Sequence, residues 1–98
     1  MSNNKIEDLS PIVDQFTCLT LLDVSTNKIK ELPKNTSKLK DLRHLNATQN
    51  SISEINEEFY KLENIKILVL KNNKLSKLSE SLSRLTSLSE LLINNNNL

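Results

Sequence analysis

The chain has 98 residues and a formal net charge of +1, from 13 basic and 12 acidic side chains. One domain fits that length, and so even a balance gives no broad pull towards nucleic acid or acidic membrane. The absence of glycine excludes Gly-rich phosphate cradles and leaves tight turns to Asn, Asp or Ser, while the lone Cys18 has no internal disulfide partner and points to a reducing, cytoplasmic compartment.

Residues 1–18 are polar, with no apolar run of secretory type, and no transmembrane stretch occurs later in the chain. Within them Ser10-Pro11 precedes Ile12, Val13 and Phe16. That pattern predicts a short helical turn with Ser10 as N-cap and Pro11 as first helical residue, a lid on the first full repeat. From Leu19 onwards one skeleton recurs every 23 residues. It runs Leu19, Leu22, Val24, Ile29, Leu32 and Leu39, then Leu42, Leu45, Ala47, Ile52, Ile55, Phe59 and Leu62. A third copy has Ile65, Leu68, Leu70, Leu75, Leu78, Leu82 and Leu85, and a fourth starts at Leu88 and is cut at Leu98.

In each copy the apolar spacing changes part-way. Leu68 and Leu70 are two apart, which is strand spacing; Leu75, Leu78, Leu82 and Leu85 are three or four apart, which is helix-like. Each copy is therefore a short strand, a turn and a helical or 3₁₀ segment returning on the other side. One coil cannot close a core, so coils stack, with parallel strands on one side and helical turns on the other. The predicted architecture is a single α/β solenoid over residues 1–98, with a partial unit at 1–18, repeats from 19, 42 and 65, and a truncated one from 88.

The residues Leu19-Leu22-Val24-Asn27-Ile29, Leu42-Leu45-Ala47-Asn50-Ile52, Ile65-Leu68-Leu70-Asn73-Leu75 and Leu88-Leu91-Ile93-Asn96-Leu98 match the pattern L-x-x-L-x-L-x-x-N-x-L. In this the chain resembles the leucine-rich repeat proteins. The repeat length, with Leu32-Pro33 and Leu39, resembles their intracellular Ras-group class, although Asn56 and Ser79 stand in for Pro33 in the next copies. The resemblance implies a protein-binding scaffold that uses its concave strand face.

Asn27, Asn50, Asn73 and Asn96, with Asn4 one period earlier, share one register. An Asn side chain carries both a carbonyl and an amide, so it satisfies backbone groups of successive coils; the repeated asparagine is read as structural. Function is expected on side chains between the core positions, which point to the concave surface. They form columns: Leu21, His44, Ile67 and Glu90; Asp23, Asn46, Val69 and Leu92; Ser25, Thr48, Lys71 and Asn94. Leu21, Ile67, Val69 and Leu92 are apolar where solvent is expected, which suggests a contact surface for a protein partner. There is one histidine, His44, and no spacing assembles a catalytic set, a metal site or a cofactor site around it or Cys18. The alternative to a binding module is a structural unit. Repeat four has no cap in the sequence, so Glu90, Leu91, Leu92, Ile93, Asn94 and Leu98 are expected to support an end-to-end homodimer through the fourth strand.

Overall fold

The computed structural model describes residues 4–98, so the first three residues of the partial amino-terminal unit lie outside the described part. A short helix α1, Ser10–Gln15, precedes strand β1, Leu21–Asp23. The chain then makes β2 (Glu31–Leu32), a 3₁₀ turn at Lys34–Lys38, β3 (His44–Asn46), β4 (Glu54–Ile55) and a second 3₁₀ turn at Glu57–Lys61. Strand β5 (Ile67–Val69), a third 3₁₀ turn at Glu80–Arg84 and β6 (Glu90–Leu92) complete it.

The main sheet is parallel, in the order β1-β3-β5-β6. Its register places Leu22, Leu45, Leu68 and Leu91 side by side. Backbone rungs repeat with the sequence period: Val24 N–H donates to the Asn46 carbonyl at 2.9 Å, Ala47 to Val69 at 2.9 Å and Leu70 to Leu92 at 2.7 Å. The 3₁₀ turns lie opposite, and the leucines between them form one core. Leu45, Phe59 and Ile65 in that core are fully buried, as are Leu9 and Val13 of the amino-terminal segment.

The asparagines fasten coil to coil. The Asn50 side-chain amide donates to the Val24 carbonyl of the preceding coil at 3.1 Å and to Ala47 of its own at 3.0 Å, while its carbonyl accepts from Ile29 N–H at 3.1 Å. Asn73 repeats this with Ala47, Leu70 and Ile52, and Asn96 repeats it with Leu70, Ile93 and Leu75. Asn27, Asn50 and Asn73 are buried, Asn96 is half-buried and Asn4 is exposed. Asn50, Asn73 and Asn96 thus each satisfy backbone groups that water reaches poorly.

Three local expectations are corrected. Ser10 is not the N-cap: the helix starts at Ser10, the capping position is Leu9, and Ser10 N–H donates to the Asp8 carboxylate at 2.9 Å. The left-handed turn residues are Thr26, Gln49, Asn72 and Asn95, with φ of 54°, 59°, 55° and 60°, so a Thr and a Gln stand where Asn, Asp or Ser is expected. They are held there because the rungs continue through them, Thr26 N–H to Thr48 and Gln49 N–H to Lys71. The convex side also holds a small parallel sheet, β2-β4, which the apolar spacing does not predict.

The change from Pro33 to Asn56 to Ser79 has a physical account. All three sit in extended backbone at the entrance to a 3₁₀ turn. Proline fixes φ by its ring; Asn56 and Ser79 instead accept a hydrogen bond from the N–H two residues on, Glu58 and Ser81. Different chemistry reaches one conformation.

Candidate functional site

The sheet register sets the concave face. Leu21, His44, Ile67 and Glu90 stand opposite one another across the four strands, and so do Asp23, Asn46, Val69 and Leu92. The first two of the three predicted columns are therefore brought together as rows of neighbours, spaced about 4.8 Å from strand to strand. Lys71 comes just after β5 and is half-buried, whereas Glu90 is exposed.

Exposure divides the apolar members. Leu21 is 56% exposed, and among the described residues β1 is an edge strand with a neighbour on one side. Ile67 and Leu92 are half-buried, and Val69 is only 8% exposed. Val69 stands on the inner strand β5, in register with Asn46 on one side and Leu92 on the other. The apolar surface is thus a shallow floor at Ile67, Val69 and Leu92, with Leu21 separate from it beyond His44.

The polar members are partly committed. Asp23 accepts from Ser25 N–H at 3.0 Å, and Asn46 accepts from Thr48 N–H at 3.1 Å. Both side chains fold back over the turn after their strand. The Ser25 N–H bond and then the Ser25 hydroxyl hold the Asp23 carboxyl below its usual value, with a smaller pull from His44. Asp23 therefore presents a stable negative charge beside His44 at neutral pH.

Cys18 is exposed and precedes β1, off the column of His44. Among the described residues no group of three His, Cys, Asp or Glu side chains suits a metal ion, and no helix is long and apolar enough to cross a membrane. At the carboxyl end, β6 pairs with β5 on one side only among the described residues. Leu91, Leu92 and Ile93 are half-buried there, Asn94 is exposed and Leu98 is 58% exposed.

Sequence reasoning missed one feature. A groove of about 740 Å³ opens on the convex side, between β4 with the second 3₁₀ turn and the loop before the third. The Glu54-Ile55 strand that lines it is too short to show an alternation in the sequence.

No family model and no curated protein sequence matches the chain. Solved structures do. An internalin from Listeria monocytogenes is 32% identical and superposes with a TM-score of 0.83 over 95% of this chain. A leucine-rich repeat protein of Leptospira interrogans is 33% identical, with a TM-score of 0.90 over 97%. This chain spans about a quarter of each, 26% and 24% respectively. Repeat period, asparagine ladder, parallel concave sheet and these likenesses agree: the chain is a leucine-rich repeat protein.

Proposed function

We propose that the chain binds a protein partner through its concave sheet, with Ile67, Val69 and Leu92 as an apolar floor and Leu21, Asp23, His44, Asn46, Lys71 and Glu90 around it. The leucine-rich repeat fold is in general a protein-interaction module. The observation that carries this reading is the division of labour along each strand. In β5, Leu68 is buried in the core, while Ile67 faces the other way, is half-buried and lies outside the core. Half-buried apolar groups ringed by charge are what an interface core with a polar rim requires. The cytoplasm is the compartment that we propose, on the lone exposed thiol.

Site-specific photo-cross-linking tests it. A cross-linker at position 44 or 71 should capture a partner in cells, and one at the convex position Lys30 should not capture the same partner. Equal capture from both sides contradicts the assignment.

A second reading has its own observation, the one-sided pairing of β6. In it two copies join antiparallel through Glu90–Asn94, with Leu91, Ile93 and Leu98 covered. Sedimentation equilibrium then shows a dimer at high micromolar concentration; a monomer throughout removes this reading.

A further inference from the structure

The convex groove interrupts a pattern that the first two full coils obey. Between those coils, Ser51 N–H donates to Ile29, Ser53 to Lys30 and Asn56 to Leu32. One period on, only the first rung is made, Lys74 N–H to the Ile52 carbonyl at 2.8 Å. The equivalents from Ser76 to the Ser53 carbonyl and from Ser79 to the Ile55 carbonyl are missing among the described residues. Strand β4 thus pairs with β2 and leaves its other edge open.

The gap is held open rather than collapsed. Across it the Ser79 hydroxyl donates to the Glu57 carboxylate at 2.9 Å, a side-chain bond where the backbone rung is absent. The groove of about 740 Å³ lies in the size range of ligand clefts. Half-buried Ile55 and exposed Leu78 line it. So does Tyr60, which is 3% exposed and whose hydroxyl makes no hydrogen bond among the described residues. Burial, then Glu57, hold the Tyr60 hydroxyl in the neutral donor form. Glu54 and Glu80 stand on the rim with no ion pair among the described residues, against one lysine, Lys77.

We propose that this groove takes an extended peptide segment of a partner protein, basic and apolar residues alternating, which adds a strand to the open edge of β4. Its backbone N–H groups meet the Ser53 and Ile55 carbonyls. Its apolar side chains enter beside Ile55 and Leu78, and its basic ones meet Glu54 and Glu80. A carbonyl of its backbone accepts from the Tyr60 hydroxyl. Strand addition supplies the main-chain bonds and the alternate side chains supply the selectivity. This surface is opposite the concave face, so the two sites are independent.

The test uses the full 98-residue chain, ¹⁵N-labelled, titrated with a mixture of capped hexapeptides in which Lys or Arg alternates with Val, Ile or Leu. Saturable shifts are expected at Ser53–Ile55 and Leu78, with Glu-for-Lys peptides inert. The pair Glu54→Lys with Glu80→Lys should weaken binding about tenfold, because rim charges are lost while the latch at Glu57 is kept. Tyr60→Phe, which keeps the ring, should also weaken it. No saturable shift, shifts confined to β1, β3, β5 and β6, an equal response to acidic peptides, or occupation of the edge by a second copy would each overturn the proposal.

Discussion

Thr36 shows how closely a single position is tuned. It falls where Phe59 and Leu82 stand in the next coils, and it is fully buried with a hydroxyl that has no partner among the described residues. Thr36→Val keeps the shape and removes the orphan, and should raise stability by about 1 kcal/mol. That is a rise of about 4–8 °C in Tm for a domain of this size, read by calorimetry. Thr26 is a second such residue, a β-branched side chain at φ 54°. Thr26→Asn places there the type found at Asn72 and Asn95 and should gain about 0.5–1 kcal/mol. The ladder asparagines run the other way. Asn50→Ala removes the only acceptor of the buried Ile29 N–H, and Asn73→Ala that of Ile52 N–H, so each should cost about 1–3 kcal/mol. Asn96 accepts from Leu75 N–H in the same way but is half-buried, so water replaces its bonds and Asn96→Ala costs less. Equal losses at Asn50, Asn73 and Asn96 would contradict this ranking. The ladder was legible because one residue type recurs in one register; the turn residues were not, since nothing local to Thr26 or Gln49 favours a left-handed backbone and only the rungs on either side impose it.

At the scale of elements, the lid on the stack is held by few polar contacts. Asn35 donates to the Ser10 carbonyl at 3.1 Å and to the Asp14 carboxylate at 3.0 Å, and Lys38 reaches the same carboxylate at 3.2 Å. The Asn35 bond first, then Lys38, hold the Asp14 carboxyl below its ordinary value. A carboxyl with a lowered folded-state value stabilises the fold above its unfolded value and loses that contribution as pH falls through the folded one. Acidification below about pH 4 should therefore loosen α1 before the sheet, seen as faster amide exchange at Phe16, whose N–H bonds Ile12, than at Leu70. Uniform loosening would show that α1 and the sheet open together. The helix was legible from Ser10-Pro11 and its apolar spacing, but its first residue was not, because Asp8 caps from further back. The β2-β4 sheet was invisible because two-residue strands carry too little alternation to stand out.

Across the whole molecule, the repeat fixes the stack and the concave sheet fixes which side chains are free to act. The first two columns were legible, since a parallel register with constant period allows one arrangement only. Their exposure was not: Val69, on an inner strand with a neighbour in register on each side, is 8% exposed, and spacing alone does not set that burial. Val69→Glu is for that reason a test of stability more than of binding. The direct test of the account is Ile67→Glu with Leu92→Glu, two half-buried positions outside the core, measured by retention of the partner captured through position 44 or 71. The double variant should keep its Tm within a few degrees, as surface changes do, and lose that partner. Retention of the partner by a folded double variant would contradict a concave binding face.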